Sequence, residues 1–174
     1  PYTTLFRSPA TTARGITVDQ WFESATPKIN NRSLPLADNE LALSAAVAPD
    51  GSGAALGTSF YLRYYKPDGS LLWRTPAPGT TWQVNVSGDG RWVVAGFSDG
   101  TARWYRARDG AELLAFLPHA DRKRWVVWTP SGYYSASPGG EDLFGWHINR
   151  GPSVAADFFP ASRLRSNYFR PERS

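Results

Sequence analysis

Few side chains of this sequence have the types and spacing that catalysis or metal binding requires. His119 and Asp121 could together hold a metal ion or move a proton, but no third ligand lies near them in the sequence. His147 alternates with apolar neighbours, which favours a hydrogen-bonded strand residue. Ser131 lacks the glycine two positions earlier that a nucleophile elbow uses. The chain has no cysteine. We therefore expect no catalytic residue, cofactor or metal ion.

Five Asp-Gly pairs separate short apolar segments and give the chain a repeat. Such a pair predicts a tight primed turn, because glycine adopts positive φ without strain. The pairs lie at Asp50-Gly51, Asp68-Gly69, Asp89-Gly90, Asp99-Gly100 and Asp109-Gly110. The first and third pairs are 39 positions apart. A period of about forty residues with four short strands is typical of propeller blades.

Two complete repeats follow from this spacing, and part of a third. The first has predicted strands at Leu43–Ala48, Ala54–Thr58, Leu62–Tyr65 and Leu71–Thr75. The second has predicted strands at Trp82–Ser87, Trp92–Phe97, Thr101–Tyr105 and Leu113–Leu117. A third unit starts at Arg124–Thr129, continues at Tyr133–Ala136 and loses its rhythm at Pro138, with a further strand at Phe144–Asn149.

The segments before and after the repeats are less regular. Residues 9–40 predict one strand at Ile16–Phe22 and a small hairpin that turns at Asn30-Asn31. The tail, 152–174, predicts a short helix around Ala161–Tyr168. Residues 1–8 resemble a translated sequencing adapter, so we expect an artefact there and a fragment of a longer, metagenomic reading frame. The partial propeller itself is assigned to residues 41–151.

The stretch Val84–Tyr105 resembles a blade of the WD-repeat family. The resemblance implies a buried, tetrad-like hydrogen-bond network, with Asp99 and Trp104 in two of its positions and His119 where the next blade would have a histidine. The histidine expected ahead of this blade is absent. The blade resembles a degenerate WD repeat for that reason.

A second resemblance covers Arg122–Gly151 and, more weakly, Asp157–Glu172. These stretches are similar to the closing segment of propellers in bacterial multidomain proteins that also carry a caspase-like protease domain. The resemblance implies architecture alone, because a caspase-like domain needs a cysteine–histidine pair and this sequence has no cysteine. We therefore expect an all-β fold: an incomplete propeller with two four-stranded blades, part of a third, and an irregular, short-helical tail.

Composition narrows the function classes. The chain of 174 residues is 41% hydrophobic and 20% charged, with a formal net charge of +4. No apolar run is long enough to cross a membrane and no signal peptide is evident, which favours a cytoplasmic location. Six basic residues lie in the middle of the chain: Arg103, Arg106, Arg108, Arg122, Lys123 and Arg124. Acidic residues are interspersed with them, which favours a solvated strand edge over a nucleic-acid site.

The leading hypothesis is a non-catalytic protein-interaction or regulatory scaffold. Its partner would be a protein, in the same chain or another, and no small-molecule ligand or membrane is inferred. The alternative is a propeller enzyme with its site at the central channel, where His119 would be the candidate residue. Weak nucleic-acid binding through the basic residues is the third hypothesis.

Overall fold

The structure is mostly β: of the residues that it describes, 45% lie in strands and 8% in helices. The computed structural model describes residues 9–151 and 155–171, so the adapter-like segment 1–8 lies outside the described residues. The chain divides into two compact units, the first ending at Leu113 and the second starting at Leu114.

The first unit begins with a small antiparallel sheet. Its strands, in sheet order, are β1 (Thr12–Ala13), β2 (Ile16–Asp19), β3 (Lys28–Ile29) and β4 (Arg32–Ser33). The predicted turn joins β3 and β4, and Asn30 and Asn31 have φ of 47° and 66°. The predicted strand ends at Asp19 rather than Phe22, and the sequence did not predict a four-stranded sheet in this segment. Strands of two residues are too short to show an alternating pattern.

The second sheet contains the four strands predicted for the first repeat. Its strands, in sheet order, are β5 (Ala42–Val47), β6 (Ala54–Thr58), β7 (Tyr61–Tyr65) and β8 (Leu71–Pro76). Strands β5 and β6 are buried on both faces and consist largely of alanine, serine and glycine. Small side chains let layers on both sides approach this sheet closely.

The second repeat forms β9 (Thr81–Val86), β10 (Trp92–Phe97), β11 (Ala102–Arg106) and β12 (Glu112–Pro118), and the boundary between the units falls inside β12. One face of the second sheet packs on this repeat through Ala46, Leu62, Tyr64, Trp73, Val84, Val93 and Tyr105. Its other face packs on the small first sheet through Ile16, Val18, Ile29, Ala45, Leu56 and Tyr65. Sequentially ordered antiparallel sheets stacked face to face are the arrangement of propeller blades.

All five Asp-Gly turns form, but the predicted primed geometry is wrong. In a two-residue primed turn of type I′ both central residues have positive φ. Here each glycine has φ between 70° and 86°, whereas none of the five aspartates does. The amide of Gly51 donates to the carbonyl of Ala48 at 2.9 Å, so Gly51 is the last residue of a four-residue turn, as are Gly69, Gly90 and Gly100. Gly110 instead donates to the carbonyl of Arg106, four residues earlier, at 2.8 Å. In each turn the aspartate side chain accepts a backbone hydrogen bond, and the aspartate itself does not adopt positive φ.

The second unit contains the end of β12, then β13 (Trp125–Trp128), β14 (Tyr134–Ala136), β15 (Gly145–Ile148) and β16 (Asp157–Pro160). A 3-10 turn at Ala161–Leu164 leads into the helix α1 (Arg165–Tyr168), where the sequence predicts a short helix. The strands predicted for the third unit form, but β13 is hydrogen-bonded to β12 instead of opening a separate sheet. The amide of His119 donates to the carbonyl of Arg124 at 2.9 Å, which closes a tight hairpin and returns the chain beside β12.

Candidate interaction surfaces

The loops of the first unit lie at two opposite ends of its sheets. Because successive strands run antiparallel, the turns of Asp50, Asp68, Asp89 and Asp109 share one end, which we call the Asp-Gly end. The Asp99 turn lies at the other end. The turns of consecutive repeats touch, since a Cβ on Gly90 would lie 2.7 Å from Oδ2 of Asp50.

The aspartates at the Asp-Gly end are fixed and ionised. Oδ1 of Asp50 accepts the amide of Ser52 at 2.9 Å, and Oδ1 of Asp89 accepts the amide of Arg91 at 3.1 Å. The backbone hydrogen bond from Ser52 lowers the pKa of Asp50. The Ser87 hydroxyl and the amide of Arg91 lower the pKa of Asp89 to about 2. Both carboxylates are therefore negatively charged at neutral pH.

A groove of about 610 Å³ opens at this end between the second sheet and the second repeat. We call Asp50, Ser52 and Tyr64, which line the groove from the first repeat, its floor; the hydroxyl oxygens of Ser52 and Tyr64 are 3.5 Å apart. Tyr64 is buried, and burial raises the pKa of its hydroxyl. The floor therefore offers a charged acceptor and two neutral hydroxyls.

Apolar and basic side chains form the walls of the same groove. Leu72 of β8 and Trp92 of β10 supply apolar surface, and Arg91, Arg106 and Arg108 supply guanidinium groups. The Arg91 side chain donates to Asp89 Oδ2 at 2.6 Å and lies over the Trp92 ring at 5.5 Å. The groove therefore combines apolar surface with groups of both charges.

Two tryptophan contacts hold the groove in shape. The Tyr64 ring stacks on Trp73 with centroids 5.6 Å apart. Nε1 of Trp73 donates to the carbonyl of Ala107 at 2.6 Å, within the turn that carries Arg106 and Arg108. The bond connects the last strand of the first repeat to the β11–β12 turn of the second repeat, and so fixes the basic wall relative to the floor.

The opposite end of the first unit exposes apolar side chains. We call it the apolar end and define it by Phe22, Leu41, Phe60 and Trp82, of which Phe22 is 65% and Trp82 60% exposed. Phe22 precedes Ser24, which pairs with Ala42 through two backbone hydrogen bonds. The amide of Ser59, beside Phe60, donates to the carbonyl of Leu41 at 2.9 Å. Both contacts place these loops side by side.

A repeated serine contact builds this end. The amide of Leu41 donates to Oγ of Ser59 at 3.1 Å, and the amide of Thr80 donates to Oγ of Ser98 at 2.9 Å. In both repeats the serine amide donates back to the carbonyl of the same residue. The Ser44 hydroxyl also donates to the carbonyl of Thr81, the residue before Trp82. The first residue of β9, Thr81, is therefore bonded to β5 of the first repeat, and Trp82 follows it.

The structure shows local contacts for the residues predicted to form a WD-type network. Asp99 accepts hydrogen bonds from the amide and hydroxyl of Thr101 and from Arg103, all close to its own turn. Trp104 is half-buried on β11, opposite Val94. The tetrad assignment stays a prediction for Asp99, Trp104 and His119.

His119 is held within its own hairpin. Its Nδ1 accepts the amide of Asp121 at 3.3 Å and lies 3.3 Å from Nη2 of Arg124. Asp121 in turn accepts the amides of Lys123 and Arg124, which lowers the pKa of its carboxyl. These contacts are those of a turn, with the histidine capping it.

A buried ionic network that the sequence analysis missed lies in the first repeat. Glu40, in the loop before β5, binds Arg63 of β7 through two hydrogen bonds and accepts the hydroxyl of Thr58 of β6. All three are buried. One signal for this pair was available in the sequence. Arg63 lies within the apolar strand β7, and a buried arginine needs an acidic partner, which Glu40 supplies.

Several of the basic residues singled out in the sequence are already paired with carboxylates. Arg103 binds Asp99 and Glu112, Arg106 binds Asp109, and Arg124 binds Asp121. His147 is exposed on β15, opposite Phe158. The paired arginines fit solvated strand edges and turns better than a continuous phosphate-binding track.

The described residues contain no group of three His, Cys, Asp or Glu side chains placed to hold a metal ion. Within the same residues, no helix has the length and apolar character that crossing a membrane would need.

Comparisons with known proteins do not assign the chain to a family, so the description of the fold rests on its own sheets. The chain matches no protein-family model and no curated protein. Among solved structures it is similar to BamB from Moraxella catarrhalis, with a TM-score of 0.42 and 18% identity over 55% of this chain and 33% of that chain. The chain thus spans about a third of that protein's length. By its own strand order and stacking, it is a mostly β chain with the arrangement of an incomplete propeller.

Proposed function

We propose that this chain is a non-catalytic protein-interaction module whose partner binds at the apolar end of the first unit. The observation that carries the proposal is the grouping of Phe22, Leu41, Phe60 and Trp82 as exposed side chains at one end of stacked sheets. Exposed apolar patches mark interaction sites, and tryptophan is enriched among the residues that dominate binding energy.

The rigidity of this end supports a binding role. The paired serine contacts of Ser59 and Ser98 fix the loops, and the Glu40 network fixes the segment that carries Leu41. A surface held in one conformation loses little conformational entropy when a partner binds.

The resemblance of Arg122–Gly151 to propellers of bacterial multidomain proteins supports a wider proposal. There the module would serve a parent protein that carries a caspase-like protease domain. The parent reading frame tests this proposal: a downstream domain with a cysteine–histidine pair supports it, and its absence from the complete frame contradicts it.

Phage-displayed random peptides panned against the purified chain test the binding site. We expect selected clones to lose roughly tenfold or more in affinity for the variant Phe60→Ser/Trp82→Ser. Leu71→Ser is the matched control, because Leu71 is 44% and Phe60 47% exposed, at opposite ends, and Leu71 does not line the groove at the Asp-Gly end. If every selected clone binds the double variant as well as it binds the wild type, the proposal is contradicted. Sedimentation velocity shows whether a second copy of the chain occupies the same surface.

A further inference from the structure

We propose that the groove at the Asp-Gly end is a second binding site, specific for a partner peptide in which an acidic side chain lies next to an apolar one. This site is separate from the apolar end and goes beyond the function proposed above. A chain with both sites would connect two partners.

The charge of the basic wall favours an acidic ligand. Asp109 is the carboxylate shared by two arginines, with Arg106 Nη1 at 2.9 Å and Arg108 Nε at 3.6 Å from Oδ2. Arg108 therefore has the weaker of the two ion pairs. Arg108 is 78% exposed, so its donors can bind a further carboxylate in the bidentate manner that arginine favours.

The apolar surface lies beside this charge. Leu72 projects from β8 and is 40% exposed, and Trp92 lines the groove next to Arg91. A side chain that covers Leu72 removes apolar area from water while its neighbour reaches the arginines. Charge and apolar surface together select a pair of side chains rather than a free anion.

The floor distinguishes a peptide from a nucleic acid. The hydroxyls of Ser52 and Tyr64 can donate to or accept from main-chain amides, and Asp50 can accept an amide N–H. Asp50 and Asp89 both line the groove as carboxylates, which would repel a run of phosphates. A peptide with a single carboxylate, bound at Arg108, carries less negative charge past Asp50 and Asp89 than a run of phosphates does.

Amide chemical-shift titrations of the whole chain test the site with three synthetic probes. The probes are glycine–serine octapeptides with a central Leu-Asp, Leu-Asn or Ser-Asp pair. We expect Leu-Asp to shift the amides of Ser52, Arg91 and Arg106–Arg108, and to bind roughly tenfold more tightly than the other two.

Matched variants assign the binding to this wall. Arg106→Ala/Arg108→Ala should weaken Leu-Asp binding roughly tenfold, whereas Arg74→Ala, which removes an exposed arginine of β8 outside the groove lining, should leave it unchanged. Equal affinity for Leu-Asp and Leu-Asn overturns the proposal, as do shifts confined to other regions or none at all. Oligothymidylate that binds as tightly as Leu-Asp shows a general anion surface and also overturns it.

Discussion

Glu40 and Arg63 form a closed ion pair inside the second sheet. Nε of Arg63 donates to Oε1 of Glu40 at 2.9 Å, Nη2 binds the other oxygen, and the two side chains are 3% and 0% exposed. The amide of Ala37 donates to Oε2 at 2.8 Å. Glu40 therefore ties the loop that precedes Leu41 to the interior of the blade.

Removing one partner of this pair should destabilise the fold strongly. Glu40→Gln or Arg63→Met alone should lower the free energy of unfolding by about 3–5 kcal/mol, because an unpaired charge or unsatisfied donors stay buried. The double variant Glu40→Leu/Arg63→Met should recover much of that loss. Urea unfolding measures both. Arg91→Ala, which breaks an exposed pair, is the control and should cost no more than about 1 kcal/mol. Equal losses in the control and the single variants would contradict a buried role.

The same carboxylate predicts a dependence of stability on pH. Burial acts to raise the pKa of Glu40, but hydrogen bonds from Arg63, Thr58 and Ala37 outweigh it, and the pKa lies below its ordinary value of 4.5. A lowered pKa in the folded state means that the stabilisation is present above pH 4.5 and is lost as the pH falls below it. Unfolding between pH 7 and pH 3 measures the effect. Glu40→Gln should flatten this dependence, and an unchanged profile would argue against the assignment.

Substitutions at Gly110 and Arg122, which each follow the aspartate of a turn and have positive φ, should change the stability of the fold in opposite directions. Gly110→Ala should destabilise the chain by about 2 kcal/mol, because Gly110 has φ of 72° and its Cβ would lie 2.7 Å from the Trp73 ring. Arg122 occupies the corresponding position of the His119 hairpin with φ of 59°. Arg122→Gly should therefore stabilise by about 1 kcal/mol.

Thermal unfolding measures both changes. Gly88→Ala is the control, since no atom lies within 4 Å of its Cβ position and its φ is not positive. If Gly110→Ala and Gly88→Ala unfold at the same temperature, the turn geometry described here does not limit stability.

The sequence predicted the two four-stranded repeats because alternation and Asp-Gly pairs are local signals. The first sheet was predicted only in part, as one strand and the hairpin at Asn30-Asn31. Its four-stranded pairing was not predicted, since β1, β3 and β4 each contain two residues, and the packing of Ala13 and Ile29 against the second sheet is long-range. The pairing of β13 with β12 was not predicted either. It depends on the hairpin that the His119–Arg124 hydrogen bond closes, and this hairpin contains no glycine that would indicate a turn.

The candidate surfaces were less accessible to sequence reasoning. Asp50 and Asp89 were recognised as turn residues, but their meeting with Trp92 and Leu72 in one groove depends on how the sheets stack. Trp82 was placed on a strand, and its exposure at the apolar end follows from the packing of β9 beside β5. Long-range packing, which one sequence does not encode in a local pattern, accounts for both.

Hydrogen–deuterium exchange of the whole chain, with and without a peptide selected by panning, tests partner binding at the apolar end most directly. We expect slower exchange at residues 59–62 and 80–83, which surround Phe60 and Trp82, and unchanged exchange at the turns of Asp68 and Asp109. Slower exchange confined to the Asp-Gly end or to the second unit, or no change at residues 59–62 and 80–83, would contradict the proposed interaction surface.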